Sequence, residues 1–143
     1  MSSTLYNRDI LRLAASLIPN DRLEAADGIA EIRSPLCGSR IQAEIALGPD
    51  GTIAALALRA SACALGQASS AILRGNAIGH DLATIHEIRT QIAAALTGTA
   101  DMPVIWGDLM LLAPAKDYPS RHAAILLPYD ALLAAGEQLR IAS

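Results

Sequence analysis

Two apolar segments on either side of a tight-turn sequence restrict the fold of this chain more than any other feature. Apolar side chains occupy every second position from 41 to 47, alternating with Gln42, Glu44 and Ala46, and residues 53–60 form a second apolar segment. Between them lies Gly48-Pro49-Asp50-Gly51, in which proline fixes one backbone angle and glycine accepts a reversed one. The pattern predicts an antiparallel hairpin with strands at 41–47 and 53–60.

The remaining periodic segments predict one more strand and several helices. Ile29 and Ile32 flank the additional strand, which ends at Ser34-Pro35. Two helices are predicted at about 5–17 and 63–76, and a third from the N-cap Asp81 to Gly98. A short helix at about 106–112 ends before Pro114. The last helix is predicted at about 119–140, where Pro128 kinks the helix or marks a restart. Because strands come first and most helices follow, we expect an α+β fold in which the helices pack on one face of a three-stranded antiparallel sheet.

Composition narrows the class of protein further. A length of 143 residues predicts a single domain over 1–143, and 52% apolar against 17% charged residues predicts a folded chain. A net charge of −3, without a basic block and with only four aromatic residues, argues against nucleic acid or an anionic membrane as a partner. No apolar stretch reaches the length of a membrane span, and nothing marks export. We therefore expect a soluble, cytoplasmic protein.

Two cysteines are the best candidates for chemistry. Cys37 lies in Pro35-Leu36-Cys37-Gly38-Ser39, between two predicted strands, and Cys63 lies where a strand passes into a helix, whose N-terminus favours a thiolate. Two thiols at one end of a sheet can converge on a single metal ion or sulfur atom. The alternative is that each is a small buried apolar residue, since a spacing of 26 residues is no metal motif. The spacing alone leaves both interpretations open.

Other residues are weaker candidates for a functional site. The sequence contains no P-loop, no GxGxxG and no GxSxG, so nucleotide binding and a nucleophile elbow have no support. His80 and His86 are six residues apart, which does not direct two ligands to one side of a helix, and we expect both on the surface. Trp106 is expected to anchor the core, and Ser69 and Ser70 to permit tight helix packing.

Several segments resemble one known family. SPLCGSRIQAEIAL is similar to the NPxCGDxI segment of the U-type iron–sulfur cluster scaffolds, the family of the NifU N-terminal domain, IscU and SufU. ASACALGQASSAIL is similar to its GCxISxASASMM segment, DYPSRHAAILLPYDAL resembles FPxRxKCxxLxWxAL without a gap, and LYNRDIL resembles the LYxxxIL opening. The segments occur in the family's order and span nearly the whole chain. The long stretch after Cys63 resembles the SufU branch most.

The resemblance implies a site with an incomplete set of ligands. Family members hold a metal ion or a nascent cluster with three cysteines and one aspartate, receive sulfur from a cysteine desulfurase and pass clusters onward. Cys37 and Cys63 match the first two ligands, whereas Ser39 stands at the aspartate position and Ala124 at the third cysteine. His122, two residues before Ala124, could substitute through a neutral imidazole. The LPPVK chaperone-recognition stretch of IscU is absent.

Three functions follow as hypotheses. The first is a divergent scaffold that binds iron, zinc or a labile iron–sulfur cluster through Cys37 and Cys63, the other ligands coming from His122, Ser39, water, a second subunit or a partner. The second is a non-catalytic module that regulates a cysteine desulfurase or another assembly protein. The third is a carrier with a persulfide on one cysteine, which nearby positive charge would favour; the candidates for that charge are Arg40, Arg59 and Arg121. We expect a monomer or homodimer, and no enzyme activity apart from sulfur transfer.

Overall fold

The computed structural model describes residues 5–35 and 38–142, with side chains up to residue 139. Its elements are α1 (Arg8–Ala15), β1 (Gly28–Arg33), β2 (Arg40–Leu47), β3 (Ile53–Ser61), α2 (Ala64–Asn76), α3 (Leu82–Leu96), a 3-10 helix (Gly107–Asp117), a single 3-10 turn (Pro119–Arg121) and α4 (His122–Ala142). The three strands form one antiparallel sheet in the order β1-β2-β3. This confirms the predicted fold class.

The hairpin between β2 and β3 forms as the turn sequence predicts. Gly51 adopts a φ of 83°, which L side chains rarely reach, and the Gly48 N–H donates to the Thr52 carbonyl at 2.8 Å. The register shifts between Ala46 and Leu47, where a bulge lets the strands enter the turn.

The two faces of the sheet differ in character. Ile41, Ala43 and Ile45 are fully buried, whereas Gln42 and Glu44 alternate with them and point to the opposite face. α4 packs across β1 and β2, α2 packs on β3, and α1 packs on α2. The helices therefore cover the apolar face of the sheet.

Local sequence explains where two of the helices begin and end. The Asp81 side chain accepts the Thr84 N–H at 2.8 Å, which makes it the predicted N-cap of α3, and Gly98 follows that helix with a φ of 84°. In α2, the Ser69 hydroxyl donates to the Ile125 carbonyl at 2.6 Å, so α2 and α4 approach closely, as predicted.

Three boundaries differ from the prediction. α1 is shorter, because the Asn7 side chain accepts the Ile10 N–H and begins the helix there. Pro114 does not end its segment, which is a 3-10 helix containing this proline. A proline ring clashes with the carbonyl four residues before it, a partner that 3-10 hydrogen bonding does not use. α4 begins at His122 and runs through Pro128 without a restart.

Trp106 anchors the core, as predicted. It is 4% exposed, and its ring stacks on that of Tyr129 with centroids 6.5 Å apart. The Tyr129 hydroxyl is buried without a hydrogen-bond partner among the described residues, and burial raises the pKa of this phenol well above its usual range. In the part of the chain that the structure describes, no helix has the length and apolarity needed to cross a membrane.

Candidate functional site

The register of the sheet places both cysteine-bearing connections at the same end. Arg33, the last residue of β1, pairs with Arg40, the first of β2, and Arg40 pairs with Ser61, the last of β3. The β1–β2 loop and the β3–α2 turn therefore leave the sheet side by side. This adjacency is what the two-cysteine hypothesis requires of the fold.

Cys63 lies at the N-terminus of α2. It is the N-cap residue with extended backbone angles, its side chain makes no capping hydrogen bond, and its carbonyl accepts the Gln67 N–H at 2.9 Å. The residue is partly buried against the core and its thiol is free.

The loop between β1 and β2 is closed by backbone hydrogen bonds. The Ser34 N–H donates to the Ser39 carbonyl at 2.8 Å, and the Gly38 N–H donates to the Ser34 carbonyl at 3.0 Å. Gly38 has a φ of 71°, the backbone freedom for which a glycine was expected there, and Ser39 is buried. Cys37 lies outside the described residues, so its convergence with Cys63 stays a prediction.

Ala124, which the resemblance places at the third cysteine position, lies against the first turn of α2. A Cβ built on Gly66 would lie 3.5 Å from the Ala124 Cβ and 3.0 Å from the Ala62 Cβ. Ala62 and Gly66 bracket Cys63 in the chain, and Ala124 is 3% exposed. Position 124 therefore belongs to the same end of the molecule as Cys63, but an alanine there supplies no ligand.

His122 is the first residue of α4 and is half-buried. Its Nε2 lies 2.8 Å from the Ala115 carbonyl oxygen. A carbonyl only accepts, so Nε2 carries the proton, and in the neutral ring Nδ1 keeps its lone pair. Only Nδ1 could therefore serve as a metal ligand while this hydrogen bond lasts.

The arginines expected near the thiols have different partners. Arg59 is held by Glu44, with Nη1 at 2.6 Å from the Glu44 Oε2. The backbone N–H of Leu23, which donates to Glu44, and the Arg59 guanidinium hold the pKa of this buried carboxyl below its usual value, against the effect of burial. Arg40 is exposed, and Arg121 is partly exposed in the turn before α4. Arg59 thus has a buried structural partner, while Arg40 lies at the sheet end with an exposed partner, Glu31, at 3.9 Å.

Within the described ranges, no three His, Cys, Asp or Glu side chains lie close enough together to hold a metal ion.

His86 is exposed, as predicted, but the prediction for His80 was wrong. His80 is half-buried, and its Nε2 accepts a hydrogen bond from the Trp106 indole at 3.3 Å. Periodicity could not show this contact, because the two residues are 26 positions apart.

Sequence reasoning also missed the residue that closes the free edge of β3. The Asp21 carboxylate accepts the Leu58 N–H at 3.1 Å and the Arg74 Nε at 2.7 Å. Asp21 is 8% exposed and joins β3 to α2. Its partners lie 37 and 53 residues away, so no local pattern predicts the contact.

The comparisons with known proteins agree with this architecture. Residues 7–124 match the family described as the NifU-like N terminal domain, and the chain belongs to that family. The N-terminal part of a nitrogen-fixing NifU-like protein from Brucella abortus has a similar structure, with a TM-score of 0.92 and 30% identity over 99% of each chain. No curated protein matches the sequence.

A second solved structure extends the likeness in fold. The SufU of Fervidobacterium islandicum AW-1, assigned as an iron–sulfur cluster assembly scaffold of the SUF system, has a TM-score of 0.82 at 23% identity. The match covers 94% of this chain and 98% of the SufU chain. The resemblance to the NifU, IscU and SufU family is therefore confirmed.

Proposed function

We propose that this protein is a divergent iron–sulfur cluster assembly scaffold that binds iron, zinc or a labile cluster through Cys37 and Cys63. The observation that supports the proposal most is the pairing of Arg33, Arg40 and Ser61 in adjacent strands. This pairing brings the loop of Cys37 and the turn of Cys63 to one end of the sheet. Membership of the NifU-like N-terminal domain family supports the same function.

The donors of this chain fit a metal ion only in part. Two thiolates supply half of a tetrahedral shell, and Nδ1 of His122 and the hydroxyl of Ser39 are the nearest substitutes in the family's ligand order. Alanine at position 124 supplies no donor atom, so the remaining ligands would be water, a group from a second subunit or a group from a partner. We infer weaker and more labile metal binding than a full set of three cysteines and one aspartate would give.

A cysteine desulfurase is the partner that this function implies. In that exchange the Cys63 thiolate would attack the outer sulfur of the desulfurase persulfide. The sulfur–sulfur bond of the donor breaks, its cysteine leaves as a thiolate, and the persulfide forms on Cys63. The step needs no external oxidant. Cys63 lies at the N-terminus of α2, and its thiol is free for this exchange.

Metal analysis after anaerobic purification tests the scaffold function. We expect bound iron or zinc in the wild type and its loss in Cys63→Ser and Cys37→Ser. Ser61→Ala, an exposed change in the same turn, should leave the metal content unchanged. Metal contents that do not respond to either cysteine substitution would contradict the proposal and favour an interaction module.

Mass spectrometry after incubation with a desulfurase and cysteine separates scaffold from carrier. A mass increase of one sulfur atom that disappears in Cys63→Ser supports sulfur transfer through Cys63. An increase that persists in this variant and disappears in Cys37→Ser would move the transfer to the other cysteine. No increase in the wild type would leave metal binding as the only chemistry of the site.

A further inference from the structure

A cleft of about 450 Å³ is lined by β2, β3 and the segment that follows α1, near the end of the sheet that carries the candidate site. Arg22, Arg40 and Arg59 line it, and no carboxylate among the described residues does. Three guanidinium groups in one cleft stand out in a chain whose net charge is −3. We propose that this cleft binds a small molecule that carries carboxylate or phosphate groups.

Arg59 is a donor held in place before any ligand arrives. Its Nε donates to the Gln42 Oε1 at 2.9 Å, and its Nη1 donates to Glu44 and to the Asp21 carbonyl at 2.7 Å. The Arg59 side chain is 16% exposed, and its Nη2 has no partner in the described part of the chain. A guanidinium fixed by three hydrogen bonds loses little further entropy when Nη2 binds an oxyanion.

Arg22 and Arg40 supply the excess positive charge. Arg22 is exposed, and its charge attracts the nearby Glu44 carboxylate. Arg40 lies 3.9 Å from Glu31, whose other carboxylate oxygen is 3.0 Å from Arg33, so one carboxylate serves two guanidiniums. Both arginines can therefore turn toward an anion without breaking a buried contact.

The shape and the other side chains of the cleft favour a small molecule over an acidic protein segment. Its volume lies within the range typical of small-molecule sites. Asn20 and Gln67 add amide groups that can hydrogen-bond polar atoms, while Leu17 and Ile18 form an apolar wall. A ligand with anionic groups on a short carbon frame fits this combination.

The cleft borders the turn of Cys63 but is independent of its chemistry. Ser61 and Gln67, two residues before and four after Cys63, both line it. A bound anion would therefore lie close to the thiol without ligating a metal there. The proposal does not depend on the scaffold function, and it can be tested in Cys63→Ser as well as in the wild type.

Calorimetric and NMR titrations with citrate and with pyrophosphate test the proposal at constant, low ionic strength. We expect saturable binding of at least one anion, with amide shifts concentrated at residues 58–61 and 67. Arg22→Gln and Arg40→Gln should each raise the dissociation constant roughly tenfold, because each removes a charged hydrogen-bond donor. Citrate and pyrophosphate distinguish a preference for carboxylate from one for phosphate.

Arg12→Gln is the matched control. Arg12 has the same charge and is exposed on α1, where it pairs with Asp9 at 3.6 Å, but it does not line the cleft. Its substitution should leave the dissociation constants unchanged. Absence of saturation, or equal weakening by Arg12→Gln, would overturn the proposal. Binding of an Asp-rich peptide without binding of either anion would overturn it as well, in favour of a protein partner.

Discussion

At the scale of single residues, the pair of Glu44 and Arg59 shows how the outer face of the sheet carries buried charge. Glu44 is 5% exposed, accepts the Leu23 N–H at 3.0 Å and pairs with Arg59. A buried carboxylate is tolerated only when it is paired and hydrogen-bonded, and Glu44 meets both conditions. Removing one partner therefore costs more than the net contribution of the pair.

We predict that Glu44→Gln lowers the free energy of unfolding at neutral pH by about 3 kcal/mol, because Arg59 loses its anion. The folded-state pKa of Glu44 lies below the ordinary value of 4.5. Its stabilising contribution is thus present above about pH 4.5 and is lost as the pH falls through the folded-state value. The variant should show a weaker acid dependence in urea unfolding between about pH 3 and 7.

Glu31→Gln serves as the control on the same face. Glu31 pairs with Arg33 and Arg40 near solvent, with its side chain 32% exposed, so its loss should cost less than about 1 kcal/mol. Equal destabilisation by the two substitutions would show that burial does not increase the contribution of the Glu44–Arg59 pair to the free energy of unfolding.

His80 and Trp106 form a second contact that joins distant parts of the chain. The indole N–H of Trp106 donates to Nε2 of His80 at 3.3 Å. Trp106 is the single tryptophan of the chain, so its fluorescence reports on this contact. We predict that His80→Phe changes the emission spectrum of Trp106 and that His86→Phe, at an exposed position, leaves it unchanged. An unchanged spectrum in His80→Phe would contradict the contact.

At the scale of elements, the packing of β1 against α4 requires a glycine. A Cβ on Gly28 would collide with the carbonyl of Ala135, a backbone atom in the middle of α4. The clash cannot be relieved by a side-chain rotation, so the helix would have to move away from the sheet. The sequence pattern predicted both elements but not this contact, because a glycine at the start of a strand looks like an ordinary strand boundary.

We predict that Gly28→Ala destabilises the protein by about 3 kcal/mol, measured by chemical denaturation. Gly75→Ala is the matched change, since a Cβ there meets nothing within 4 Å inside α2. It should stabilise the fold by about 0.5–1 kcal/mol, because alanine favours the helix. If Gly28→Ala were tolerated as well as Gly75→Ala, the close approach of β1 and α4 would be refuted.

The elements that sequence predicted well are those whose causes are local. The hairpin follows from alternation and a Gly-Pro-Asp-Gly turn, and α3 follows from the Asp81 cap and its apolar stripe. What the sequence could not give depends on distant partners, such as the Asp21 contacts to Leu58 and Arg74. The 3-10 geometry around Pro114 was missed because the proline rule was applied to an α-helix.

At the scale of the whole molecule, the fold of the sheet and α4 does not require the full set of metal ligands. Position 124 lies beside the first turn of α2, and Ser39 closes the loop that contains Cys37. Family motifs assign both positions by their order along the chain, and the assignment stays a prediction. They could not predict whether a metal binds, since that depends on distances between side chains.

We predict that Ser39→Asp combined with Ala124→Cys restores a four-ligand site. Without zinc this variant should be less stable than the wild type, because it places a carboxylate at the buried position 39. With zinc at about 100 times the dissociation constant, a ligand bound only by the native state adds about 2.7 kcal/mol. Differential scanning fluorimetry should then show a rise in the unfolding temperature of roughly 5–10 °C that EDTA reverses.

The control moves the new thiol to the neighbouring residue of α4. Ser39→Asp with Ala123→Cys has the same composition, but its thiol projects from a different side of the helix from position 124. Zinc should stabilise this control much less. Equal stabilisation of the two variants would mean that zinc binds away from the α2 turn. No stabilisation of the first variant would mean that Cys37 and Cys63 do not face a common centre.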